Sequence, residues 1–168
     1  ALLLAALLLT ACSRAPQLHQ REAFVFGTRV EVSVWGESAD KAAQALAAVL
    51  AEFDRLHRLL HAWQPSELTA LNDALGKQQS VPVAADLAGL LRRSQDYAER
   101  TDGLFNPALG QRLADWGFQR ADPTALAPAP SSVDPDQLPR MSDLEWRNGD
   151  RLHSRQPQLR LDLGGIAK

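Results

Sequence analysis

The stretch Glu22–Gly36, EAFVFGTRVEVSVWG, and the residues just after it carry the decisive change of period. Val30, Val32 and Val34 alternate with polar Arg29, Glu31 and Ser33, the two-residue repeat of a strand with one face buried. Gly27 interrupts the pattern, and an isolated glycine in a strand marks a bulge or a close approach of something to the backbone. The whole stretch reads as one half-buried strand. From Ser38, an N-cap residue, the repeat turns helical: Leu46, Val49, Leu50, Phe53, Leu56 and Leu60 fall on one face. An apolar strand face followed by an apolar helix stripe predicts a helix packed on a sheet.

The pattern continues downstream. Pro65 is expected to end the first helix, because a proline pushes the preceding residue out of helical geometry, and Ser66 to cap a short second one with Glu67 in its first turn. His57 and His61 stand at i, i+4, but no third ligand accompanies them and no H-E-x-x-H glutamate is present, so they read as solvated helix histidines rather than a metal site. A third helix, roughly Ala85 to Thr101, aligns Leu87, Leu90, Leu91 and Tyr97 and stops at Asp102-Gly103. Beyond it, Leu104 and Phe105 sit between a glycine and Asn106-Pro107, either as loop anchors or as ligand-facing apolar groups. Five prolines between Ala121 and Arg140 make that segment an exposed excursion. Asn148-Gly149 in LEWRNGDRL is the type I′ hairpin dipeptide, and QLRLDL reads as a strand returning to the sheet. Helices and antiparallel strands are segregated, so the fold class is α+β, an antiparallel sheet with packed helices.

Composition is that of an ordinary globular domain, 45% hydrophobic and 23% charged with a formal net charge of -2, which argues against a nucleic-acid partner. Residues 1–11, ALLLAALLLTA, are too short to span a bilayer, which needs about 20 apolar residues, and suit the apolar core of a secretory signal. Leu9-Thr10-Ala11-Cys12 resembles a bacterial lipobox, with a plain signal peptide as the alternative. On the lipobox reading Cys12 is lipidated and 12–21 is a tether, which holds the protein to a membrane without spanning it. Cys12 is the only cysteine, so no intrachain disulfide forms. Residues 22–168 are the domain. At the other end Ile166-Ala167-Lys168 reads as the first turn of a helix, as if the chain were cut inside a working loop.

No Ser-His-Asp spacing, P-loop, C-x-x-C pair or dense carboxylate cluster is present, and the catalytic residues are unknown. Instead four stretches set glycine or proline beside an aromatic or a carboxylate: Phe26-Gly27-Thr28, Trp63-Gln64-Pro65-Ser66, Gly103-Leu104-Phe105-Asn106-Pro107 and Asp162-Leu163-Gly164-Gly165. Aromatics offer a stacking face and free amides in glycine turns suit phosphate oxygens, so the four are expected to converge on one flat, phosphorylated ligand. With DWGF at Asp115–Phe118, and in this order, they resemble the pattern of the ApbE family of FAD:protein FMN transferases, flavin-transfer lipoproteins of the bacterial periplasm.

The resemblance implies FAD as substrate, Mg2+ at its pyrophosphate, and attack by a threonine hydroxyl of a partner protein on the FMN phosphorus with release of AMP. Acceptors in such systems are subunits of sodium-pumping or electron-transport complexes, or periplasmic reductases. Carried over by position, Phe26, Trp63, Leu104, Phe105, Asn106, Asp162 and Lys168 face the FAD, and Gly165 offers a main-chain carbonyl to the metal. Phe26 replaces a methionine, Asn106 a commoner aspartate, and QPSEL is one residue shorter than the family pattern. The side-chain metal ligands and a catalytic histidine lie beyond the position of Lys168 in the family, so the chain alone is expected to be inactive. The alternative reading is a periplasmic FAD-binding lipoprotein that transfers nothing.

Overall fold

The structure is a computed structural model that describes residues 15–119 and 134–167. The expected signal and lipid anchor at Cys12, most of the proline-rich excursion, and Lys168 lie outside the described residues. The chain divides between Arg55 and Leu56 into two compact units.

In the first unit the stretch read as one strand is a hairpin. β1 (Leu18–Val25) pairs antiparallel with β2 (Thr28–Trp35), and Val25 faces Thr28 across the two-residue turn Phe26-Gly27. Both turn residues have positive φ, 55° and 72°, as a type I′ turn requires. Gly27 therefore marks neither a bulge nor a contact but the reversal itself. The primed turn matches the strand twist, and this offsets the cost of holding Phe26 left-handed. The ladder runs back to Leu18, so strand residues begin within the stretch expected to be tether. The alternation holds: Val30, Val32 and Val34 are half-buried while Arg29, Glu31 and Ser33 are exposed. After it α1 (Ala39–Leu60) begins just past Ser38, whose carbonyl accepts from the Ala42 amide at 2.9 Å. Its apolar face buries Ala42 and Leu46, and Phe53 meets Phe26 edge-on, ring centroids 6.1 Å apart.

α1 ends at Leu60, five residues earlier than Pro65 would stop it. The second unit then holds α2 (Glu67–Gly76), β3 (Val81–Pro82), α3 (Ala85–Arg100), α4 (Gly110–Asp115), β4 (Leu144–Arg147) and β5 (Arg151–Ser154). Ser66 caps α2 as expected: its hydroxyl accepts from the Thr69 amide at 2.9 Å, and Thr69 Oγ1 accepts from the Ser66 amide at 2.8 Å. α3 stops where Asp102 and Gly103 turn left-handed, φ 51° and 79°. The sheet is antiparallel in the order β3-β5-β4. Pro82, which lacks a donor, sits on an edge strand, where such a residue is tolerated. Asn148 and Gly149 both have positive φ, but Arg147 pairs with Arg151, so the loop has three residues and Asp150 joins the expected dipeptide. The architecture is α+β, helices on a small antiparallel sheet.

Leu159, Leu161 and Leu163 are buried to 2%, 0% and 1% exposure, beside Leu68, Leu75, Leu91 and Leu152. Yet their segment is not a sheet strand; it makes one parallel bridge, Arg160 to Leu109. Its backbone is bonded elsewhere. Asn72 Nδ2 donates to the Leu161 carbonyl at 2.9 Å and Asn72 Oδ1 accepts from the Leu161 amide at 2.8 Å, while the Gly110 amide donates to Arg160 O at 2.8 Å. A buried extended segment must satisfy its amides, and a side chain plus a helix start do here what a neighbouring strand does in a ladder. Among the described residues no helix is long and apolar enough to cross a membrane.

Candidate functional site

Three of the expected loops meet in the second unit, and Asp162 is their junction. Its amide donates to Pro107 O at 2.9 Å, its Oδ2 accepts from Gln119 Nε2 at 2.9 Å, and its Oδ1 accepts from the Gly164 amide at 2.9 Å. One residue thus ties the Leu104–Pro107 loop, the segment after DWGF and the double glycine. The last contact is an Asx turn, which holds Gly164 and Gly165 at the surface. A Cβ on Gly165 would lie 3.5 Å from Phe105 Cε2, so the Phe105 ring packs against the glycine backbone.

Phe105 is half-buried, edge-on to Tyr97 at 6.2 Å, and its amide donates to Thr101 Oγ1 at 3.1 Å. Leu104 beside it is 92% exposed and anchors nothing. Asn106 is committed to the fold: Nδ2 donates to Pro139 O at 2.8 Å and Oδ1 accepts from the Ala108 amide at 3.2 Å. A cleft of about 500 Å³ opens behind this loop, lined by Glu99, Asp102, Gly103, Asn106 and Arg140 among others. That volume lies in the range of small-ligand sites.

Trp63 is 43% exposed on the connection between α1 and α2, its indole edge-on to the His61 ring at 4.5 Å. His61 is not a solvated helix histidine. It lies past the end of α1, and its Nδ1 accepts from the Gln64 amide at 3.1 Å and the Trp63 amide at 3.4 Å. The nitrogen a metal would need is used by the backbone; among the described residues no group of three His, Cys, Asp or Glu gathers. Burial holds the His61 imidazole below its ordinary value, and the neighbouring His57 charge pushes the same way. Phe26 belongs to the first unit, in the β1–β2 turn.

Two site-building residues escaped the sequence reading. Asn72 is 4% exposed and stands among buried Leu68, Leu71 and Leu75, so a polar residue on the apolar face of α2 was the available signal. Gln119 had none, because its partner Asp162 lies 43 positions away.

A model of the ApbE family matches residues 26–168. The chain is 38% identical over 153 residues to the FAD:protein FMN transferase of Rhodobacter capsulatus, covering 86% of this chain and 28% of that protein. It is 35% identical over 159 residues to the one of Treponema pallidum (strain Nichols), covering 89% and 43%. The chain therefore spans less than half the length of these curated relatives. In fold it is similar to the apbe protein of Thermotoga maritima (TM-score 0.73, 22% identity, 90% of this chain and 48% of that one). It is similar likewise to the flavinyl transferase ApbE of Pseudomonas stutzeri in its apo form (TM-score 0.74, 24% identity, 93% and 52%). On the match over residues 26–168, this chain belongs to the ApbE family.

Proposed function

We propose that the protein transfers FMN from FAD to a threonine hydroxyl of an acceptor protein, and that this chain supplies a flavin- and phosphate-facing part of the site. The observation that carries the reading is the Asp162 junction, which sets two exposed glycines against the Phe105 ring. The residues fit the ligand's chemistry. Phe105, Leu104 and Trp63 offer accessible apolar faces for a flat ring. Both Asp162 oxygens keep a second lone pair beyond the bonds they accept, and Gly165 is open on the surface. Asp162 and the Gly165 carbonyl would hold Mg2+, which, when bound, offsets the charge of the phosphates.

In the reaction the hydroxyl oxygen bonds to the FMN phosphorus, the bridging bond to the AMP phosphate breaks, and the hydroxyl proton passes to a base or to water. What these residues contribute is orientation and exclusion of water around that phosphorus. Sequence similarity to proteins named FAD:protein FMN transferase supports the reading. The proposed acceptors are subunits of sodium-pumping or electron-transport complexes. The proposal includes a lipid anchor at Cys12 on the periplasmic side, supported by the lipobox-like Leu9–Cys12; Cys12→Ser should abolish labelling by a fatty-acid analogue.

The test is to incubate the full gene product with FAD, Mg2+ and a threonine-bearing acceptor peptide and to look for an FMN mass addition. Addition that disappears with a chelator and falls in Asp162→Asn supports the proposal. Tight FAD binding without addition replaces it by the flavin-holding alternative, and no binding ends both.

A further inference from the structure

The connection that presents Trp63 is held by a nitrogen that can be protonated. Residues 61–66 follow the end of α1 with no regular backbone pairing, so side chains must fix them. At one end Ser66 Oγ donates to the His61 carbonyl at 2.6 Å, and Thr69 Oγ1 donates to Gln64 O at 3.2 Å. At the other the His61 ring folds over its own connection, and Nδ1 receives the Gln64 and Trp63 amides at 3.1 and 3.4 Å. The same ring lies edge-on to the Trp63 indole.

An imidazole nitrogen accepts only when it carries no proton, so this arrangement requires neutral His61 with its hydrogen on Nε2. A proton on Nδ1 would face two N–H donors and break both contacts. We propose that His61 is a positioning residue for Trp63: its neutral Nδ1 latches the Trp63–Gln64 turn, and proton uptake there releases the indole. The one charged or titratable group that acts on it is His57, whose ring stands 5.0 Å away and opposes a second positive charge. Burial acts in the same direction. The latch is therefore closed at neutral pH and opens on acidification, below the ordinary histidine value of about 6.5. The role of Trp63 as a flavin face rests on the function proposed above; the latch itself does not.

The experiment follows the Trp63 and Gln64 amides and the Trp63 indole by 1H–15N spectra of the whole chain between pH 8 and pH 5, with FAD titrations at both ends. Expected is a joint shift of both amides with one midpoint, the His61 ring titrating with them. FAD binding should weaken about fivefold at the acid end, the size of one neutral hydrogen bond. His61→Asn places its Oδ1 where Nδ1 stands, so it should keep the neutral-pH amide positions and abolish their pH dependence. His61→Gln carries its oxygen one bond farther and should show the released positions throughout. Amides that ignore the His61 titration, or an Asn variant that behaves like the Gln variant, overturn the latch. If the amides titrate but FAD affinity is flat with pH, the positioning role falls. If they titrate and FAD binds at no pH, the latch stands and the flavin reading is what fails.

Discussion

Gly110 shows how little room this core leaves. A Cβ there would come within 2.7 Å of Arg160 O and 2.9 Å of Leu161 C, both backbone atoms that cannot step aside. Gly110→Ala should therefore cost about 1–3 kcal/mol through overpacking, read as a lower denaturation midpoint. Asn72 makes the complementary point. Removing its amide in Asn72→Ala leaves the buried Leu161 N–H and C=O without partners, and each unsatisfied group costs about 1–3 kcal/mol. Asn72→Ala should be among the most destabilising changes in the second unit, measured by urea unfolding. At His61 the native imidazole binds its proton less readily than the unfolded one, so the unfolded state takes up more protons as pH falls. The contribution is fully present above about pH 6.5 and is lost as pH drops through the depressed native value, and His61→Asn should remove that part of the pH dependence.

At the scale of elements, local chemistry governs the ends and tertiary contacts govern the identity. Ser66 and Thr69 form the capping box of α2, so Ser66→Ala should lose about 1 kcal/mol and loosen the Trp63 connection, visible as faster amide exchange at Gln64. The cap was legible because serine before Glu67 and an apolar run is a short-range signal. The termination of α1 was not, since it depends on a histidine ring folding back rather than on Pro65. Gly27 was seen but misread: glycine is equally at home in a bulge and in a type I′ turn, and only the pairing of Val25 with Thr28 separates the two. The Leu159–Leu163 alternation correctly foretold which side chains are buried. It did not foretell a ladder, because period two reports burial of one face and is silent on what bonds the backbone.

For the whole molecule, FAD held at a hundredfold excess over its dissociation constant should raise stability by about 2.7 kcal/mol if it binds the native state alone, read as an upward shift in melting temperature. Phe105→Ala should reduce that shift without removing the Asp162 hydrogen bonds, which involve other residues. By itself the sequence determined the α+β class, α3 and its left-handed stop, the α2 cap, the β4–β5 hairpin, and the ApbE family through short stretches in a fixed order. Each of these rests on neighbours within a few turns of chain, where periodicity and turn chemistry act. Only the tertiary structure decided that Asp162 joins loops from Pro107 and Gln119, that Asn72 clamps Leu161 from 89 positions away, that Asn106 spends its amide on the fold, and that His61 holds the Trp63 turn. The physical reason is the hydrogen-bond requirement of buried backbone, which a protein meets with whatever group the fold brings near, and sequence spacing does not record that group.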